Sequence, residues 1–173
     1  PKSYNSQTGV PLSLLMMKGD EKVAVIETGR SEPGEISRLE RIIKPAIGIL
    51  TTIGDAHQEN LWGLEEKLTE KLKLFTGTRK VIYNSAYREI ENMLKGRDTA
   101  DIAVVEGLDG HFQDAASREN AASAIMLWRG LGHEVPADRL AKLSPVARRL
   151  EMKEGGGGSL TVNEFYNSDR NSL

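Results

Sequence analysis

Residues 46–60 read AIGILTTIGDAHQEN, an apolar run that passes straight into glycine, acids and a histidine. The first eight, AIGILTTI (46–53), are short, apolar and rich in β-branched residues, as a strand buried on both faces would be. The polar residues follow at the strand's carboxyl end, and in open α/β sheets ligands bind at that end. Outward from this stretch the same alternation repeats in both directions. KVAVIE (22–27) has the composition of another buried strand. PGEISRLERIIK (33–44) follows it, with Ile36, Leu39, Ile42 and Ile43 at helical spacing and Pro33 suited to a first turn. Downstream, LWGLEEKLTEKLKLF (61–75) reads as a helix, KVIYN (80–84) as a strand, and YREIENMLKG (87–96) as a helix stopped by Gly96. DIAVVEG (101–107) reads as a fourth strand, SRENAASAIMLWRGLG (117–132) as a helix closing at Gly130 or Gly132, and PADRLAKLS (136–144) as a shorter helix. Alternation of this kind implies an α/β fold: a mainly parallel sheet with helices on both faces.

The character changes near Arg149. RLEMKEGGGGSLTVNEFYN (149–167) reads as two strands around Gly155–Gly158, a hairpin or a domain junction. The expected division is therefore a first domain over 1–147 and the beginning of a second over 148–173. The chain opens on Pro1 and stops at Leu173 in a polar stretch, so it reads as a piece of a longer protein.

Bulk composition narrows the function. The chain has 173 residues, 39 % of them hydrophobic, enough for one sizeable core. Net charge is −2, and no basic block interleaves with aromatics, so general nucleic-acid affinity is not expected. There is no cysteine, which removes disulfides, thiolate zinc sites and a thiol nucleophile. No apolar run approaches the roughly 20 residues a membrane span needs. A cytoplasmic protein is the expectation.

A few residues could carry chemistry. Glu27 ends the first predicted strand after four apolar residues, where an unpaired charge is costly. His57 and Glu59 follow the second. Neighbouring parallel strands lie about 4.8 Å apart, so a carboxylate and an imidazole at two carboxyl ends could share a divalent cation. Ordinary loop groups or helix caps remain the alternative for each. Lys71 is more informative. With Leu68 at zero on a helical wheel, Leu61, Leu64, Leu72 and Phe75 fall within about 40°, while Lys71 lies about 60° off, at the edge of the stripe. Lys67 and Lys73 lie about 100° and about 140° away on the same wheel and reach water. Partial burial lowers a lysine's pKa and makes a neutral amine available for covalent chemistry, including reaction with CO₂. A snorkelling lysine whose stem covers apolar surface is the competing reading. His111 and His133 have no clear partner in sequence; His133 could sit at the negative end of a helix. No G-x-x-x-x-G-K-[ST], G-x-S-x-G or H-E-x-x-H occurs.

Six segments together make a pattern: SYNSQTGVPLSLL, VIETGRSEPGEI, TTIGDAHQENLWGLEEKLTEKLKLF, RENAASA, RRLE and NEFYNSDRNSL. Their content and order resemble the Mur ligase family over essentially the whole chain. Asn-Ser-x-x-Gly-Val-Pro-Leu and the Tyr-Asn-Ser-Asp ending look most like the branch that adds D-alanyl-D-alanine, in a Bacteroidetes-type form often fused to an alanine racemase. The resemblance implies a P-loop NTPase-like central ATP-binding domain whose phosphate loop lies before Pro1, followed by the start of the family's C-terminal domain. It implies ATP and Mg²⁺ as cofactors, UDP-MurNAc-tripeptide and D-Ala-D-Ala as substrates, and a monomer unless a racemase is attached. Without its phosphate loop the piece given is expected to be inactive. By the same resemblance Glu27, His57 and a carbamylated Lys71 hold metal, with His57 and Lys71 serving catalysis. Asn120 faces the nucleotide base, Arg149 the phosphates, and Glu164, Tyr166 and Asn167 the ATP side of the second domain; Glu164 stands where the family usually has aspartate. Asn5, Ser6 and Ser31 fall in segments that face the UDP-MurNAc-peptide. Another Mur ligase, a folylpolyglutamate synthetase-like amide ligase and a non-catalytic α/β interaction module remain alternatives.

Overall fold

The structure, a computed structural model, describes residues 4–29, 34–51, 61–108, 112, 114–136, 139, 142, 151–154 and 160–163. Its centre is a parallel sheet of β1 (Ile47–Ile49), β2 (Lys80–Tyr83) and β3 (Thr99–Asp101) in the order β1-β2-β3. Gly48 lies opposite Val81, and Ile82 opposite Ala100. Parallel neighbours cannot be joined by tight turns and need crossovers. Here α3 (Leu61–Leu72), extended by a short 3-10 helix at Lys73–Phe75, joins β1 to β2, and α4 (Arg88–Met93) joins β2 to β3. After β3 the chain continues to α5 (Ala115–Gly130).

The pleat sorts side chains into two cores. Val81 and Tyr83 face one side, where Leu68, Phe75, Ile90 and Leu94 pack; Ile82 faces the other, with Ile102, Leu108, Ala121, Ala122 and Ile125. So α3 and α4 cover one face and α5 the other, the layered arrangement expected from the alternation. Gly48 is where the first core comes closest to the backbone. A Cβ on it would lie 2.5 Å from Phe75 Cδ1, so only glycine lets the ring rest on β1.

Two further helices flank this unit. α1 (Gly9–Leu15) buries Val10, and its first turn is held by the Ser6 hydroxyl, which accepts from the Gly9 amide at 3.1 Å. α2 (Glu35–Ile43) buries Ile36 and Leu39 but leaves Ile42 half exposed. It starts at Gly34, whose φ of 81° suits glycine. The cap comes from another helix: Glu70 of α3 accepts from the Gly34 amide at 2.8 Å. A carboxylate at a helix N-terminus satisfies an orphan donor and complements the helix dipole.

α5 ends as its glycines suggest, at Gly132. The Gly132 amide donates to Arg129 at 2.9 Å and the His133 amide to Trp128 at 3.2 Å, with Gly132 at φ 84°. That is a Schellman ending. His133 then stacks on Trp128, ring centroids 4.5 Å apart, so its role there is packing. Gly96, at φ 81°, likewise turns the chain after α4. At the carboxyl end of the chain, β4 (Glu151–Glu154) and β5 (Leu160–Asn163) pair antiparallel, Met152 opposite Val162. This is the hairpin expected around Gly155–Gly158.

Two expectations are corrected. KVAVIE (22–27) forms no strand; residues 23–29 are irregular, and Val23 and Val25 are 54 % and 78 % exposed. Apolar β-branched composition supplies side chains fit for a sheet but no neighbour. Among the described residues no strand runs beside this segment, so it has no ladder to join. The second correction concerns DIAVVEG (101–107). The strand is Thr99–Asp101, and Ile102–Val104 turns into a 3-10 helix. The Asp101 carboxylate accepts from the Ala103 amide at 3.0 Å, and such local bonding draws the backbone away from the ladder. The helix expected over 136–144 falls almost wholly outside the described residues.

Candidate active site

The carboxyl ends of the three strands share one edge of the sheet. β1 leads through Leu50 and Thr51 into residues 52–60, which lie outside the described residues and include His57 and Glu59. β2 leads into Asn84 and Ser85, and β3 ends in Asp101. Asp101 is the organising group of this edge. Its Oδ1 accepts from the Ser85 amide and the Ala103 amide, both at 3.0 Å, tying β2's exit to β3's. Burial pushes the Asp101 carboxyl up, but the Ser85 hydroxyl and the two amides outweigh it and hold the group below the ordinary carboxylate range. Beside it, burial raises the Tyr83 phenol, and the charges of Asp101 and Glu91 raise it further.

The lowered Asp101 group has a pH signature. Its folded value lies below its unfolded one, so its stabilisation is present above the ordinary carboxylate range, near pH 4, and is lost as pH falls through the folded value. Asp101→Ala is expected to cost about 1–2 kcal/mol at neutral pH, the worth of a cap and a cross-strand bond. Urea midpoints of the two proteins should converge below about pH 4 as the wild-type carboxyl protonates. A gap that persists undiminished well below about pH 4, while the protein still folds, would contradict the role given to the charge.

The structure brings two of the sequence-predicted residues together. Asn5 Nδ2 donates to Glu27 Oε1 at 3.1 Å, and the Asn5 carbonyl accepts from the Gly29 amide at 2.8 Å. The segment before α1 thus lies along residues 27–29. Gly29 permits this approach, since a Cβ there would sit 3.2 Å from the Asn5 side chain. Glu27 is exposed, its carboxylate oriented by an amide donor. Ser6, next to Asn5, is exposed and caps α1.

Lys71 sits in the last turn of α3 and is partly buried, one turn beyond fully buried Leu68, while Lys73 is 45 % exposed at its side chain. Adjacent Glu70 is 7 % exposed and binds both the Gly34 amide and, at 2.5 Å, the Lys73 ammonium. That carboxylate ties the last turn of α3, which also carries Lys71, to the start of α2. Asn120 is exposed on α5. Ser31, His57, Arg149, Glu164, Tyr166 and Asn167 lie outside the described residues.

Asp101 and Glu70 are the groups that sequence reasoning missed. Asp101 was hidden by its place at the start of a misplaced strand; Glu70 was one acid among several on a helix. On the wheel Glu70 lies about 160° from Leu68, opposite the apolar stripe, and there it carries no sequence mark of its distant amide partner.

A hard cation such as Mg²⁺ takes oxygen donors and keeps several waters. Glu27 offers an exposed carboxylate, and a carbamate on Lys71 would offer another, so these two donors suit that ion. Among the described residues no three histidine, aspartate or glutamate side chains gather closely enough to hold a metal by themselves. Nor is any helix among them long and apolar enough to cross a membrane.

Comparison with known proteins places this arrangement. The Mur ligase middle domain matches residues 1–126. The UDP-N-acetylmuramoyl-tripeptide–D-alanyl-D-alanine ligase of Bacillus subtilis is 24 % identical over 99 % of this chain and 44 % of its own length. The enzyme of the same name from Rickettsia prowazekii is 30 % identical over 77 % of this chain and 29 % of its own. The crystal structure of MurF ligase from Thermotoga maritima in complex with ADP superposes with a TM-score of 0.79 at 22 % identity, covering 99 % of this chain and 47 % of that one. The chain thus spans less than half the length of these relatives. With the family's middle domain matched along most of its sequence, and the same fold in a solved member, the chain belongs to the Mur ligase family.

Proposed function

We propose that the full-length protein is an ATP-dependent ligase that joins D-alanyl-D-alanine to UDP-MurNAc-tripeptide in peptidoglycan-precursor synthesis. The observation that carries this reading is the match of almost the whole chain to a ligase bearing that name, on top of the family match over residues 1–126. The ADP held by the Thermotoga structure supports ATP as the nucleotide. Residues 1–147 would be the ATP-binding domain and 148–173, with the β4–β5 hairpin, the start of the next. Both substrates are soluble precursors, which fits a cytoplasmic enzyme.

The chemistry has two steps. A carboxylate oxygen of the tripeptide attacks the γ-phosphorus of ATP, giving an acyl phosphate and ADP. The dipeptide amine then attacks the acyl carbon, a proton leaves the nitrogen and inorganic phosphate departs. When bound, Mg²⁺ supplies charge neutralisation for the crowded phosphate oxygens. Glu27, His57 and Lys71 would hold it. Lys71, once its ammonium has given up a proton, adds through its amine nitrogen to CO₂ and releases a second proton, becoming a carbamate. Asn5 orients the Glu27 carboxylate and, with Ser6 and Ser31, would face the UDP-MurNAc-peptide. Asn120 would contact the base, Arg149 the phosphates, and Glu164, Tyr166 and Asn167 the nucleotide from the second domain.

The test is phosphate release by the full-length protein. Release should require ATP, UDP-MurNAc-tripeptide and D-Ala-D-Ala together, with one phosphate per peptide bond formed. Release that ignores the dipeptide would refute the reading.

A further inference from the structure

Tyr87 lies in the loop that leaves the carboxyl end of β2 and packs with the core on the α3–α4 side of the sheet. Its hydroxyl nevertheless donates to Glu119 on α5, at 3.2 Å to Oε1 and 3.5 Å to Oε2. α5 belongs to the opposite layer, packed on Ile82. The bond therefore crosses over the strand ends and clasps the two helical layers at the edge where α/β sheets bind ligands. Glu119 immediately precedes Asn120. Consecutive helical residues are about 100° apart, so fixing Glu119 fixes the direction in which Asn120 projects. The start of α5 is held separately, by Asp114, whose carboxylate accepts from the Ser117 amide at 2.6 Å. Loss of the clasp would leave the helix formed and packed through Ala121, Ala122 and Ile125, but with its first turns less tightly held at the sheet edge.

We propose that Tyr87, acting through Glu119, is a positioning residue for the nucleotide site: it steadies the first turns of α5 and hence the placement of Asn120. This rests on the reading that Asn120 contacts the base. The experiment uses the full-length ligase and three variants, Asn120→Ala, Tyr87→Phe and the double variant, with Glu119→Ala reaching the same contact from its other side. Tyr87→Phe and Glu119→Ala should each raise KM for ATP about three- to tenfold, the scale of one ordinary net hydrogen bond. kcat and KM for D-Ala-D-Ala should stay unchanged. On the Asn120→Ala background, Tyr87→Phe should add nothing, because its effect runs through that side chain. A merely structural role would instead lower Tm and degrade all the constants together, and would overturn the proposal. If Asn120→Ala raises KM for ATP while Tyr87→Phe does not, the clasp is wrong and the nucleotide reading stands. If Asn120→Ala leaves KM for ATP untouched, the assignment of Asn120 fails and the clasp's purpose fails with it.

Discussion

Alanine at position 71 of the full-length protein is expected to lower dipeptide-dependent turnover on the order of a thousandfold, the scale of several kcal/mol of lost charge stabilisation. The expectation starts from where the residue sits. Lys71 is in the last turn of α3, partly buried, while Lys73, two residues on, is drawn out to Glu70 with its side chain 45 % exposed. Only the unprotonated amine nitrogen can add to CO₂, so the reaction needs that nitrogen at a fixed place beside the metal site. Carbamylation turns a cation into an oxygen anion, a donor of the type that Mg²⁺ prefers. Alanine removes the nitrogen on which the carbamate forms, so added bicarbonate should restore nothing. Lys67→Ala, one turn earlier on the same helix, is the control and should retain near-normal rates. Near-normal turnover of Lys71→Ala itself would rule out the carbamate.

Leu68→Ala should be the most destabilising substitution on α3. Leu68 is 1 % exposed and packs with Phe75, Val81, Tyr83, Ile90 and Leu94 between the helix and the sheet. Truncating a fully buried leucine costs about 2–5 kcal/mol, the spread depending on how far the surroundings close over the cavity. They cannot close easily here, because Phe75 already rests on Gly48 with no room for a Cβ between them. The midpoint of urea unfolding measures the loss. Leu68 also lies one turn before Lys71, so the same cavity should loosen the turn carrying the amine, and turnover should fall at temperatures where the variant is still folded. A loss under 1 kcal/mol would mean that α3 is not the wall of this core.

Comparing elements shows which kinds of information the sequence carries. β1, β2, α3 and α5 are legible because their apolar spacing reports a buried face, and each meets a neighbour that the alternation already implies. The end of α5 is legible for another reason: Gly132 occupies a left-handed backbone position that other residues resist. KVAVIE has equally good strand composition and forms none, since pairing is a property of two segments. Asp101 shows a similar limit. Its side chain outbids the sheet for the Ala103 amide, moving the end of β3 and turning Ile102–Val104 into a helical turn. At the site, the wheel separates Lys71 from exposed Lys73 but not from Lys67, which is partly buried as Lys71 is. The contacts of Asn5 with Glu27, of Glu70 with the Gly34 amide and of Tyr87 with Glu119 span 22, 36 and 32 residues. No local periodicity encodes contacts at that range, and they become visible only in the folded chain.

The central claim is that a carboxylate, an imidazole and a modified amine, distant in sequence, hold one magnesium ion. A crystal structure of the full-length protein grown with Mg²⁺ and a non-hydrolysable ATP analogue tests it directly. The expected result is density for a carbamate on Lys71 Nζ, with its oxygen and a Glu27 carboxylate oxygen about 2.1 Å from magnesium and the His57 ring completing the protein ligands. An unmodified Lys71 turned to bulk solvent, with Glu27 and His57 sharing no ion, would contradict it.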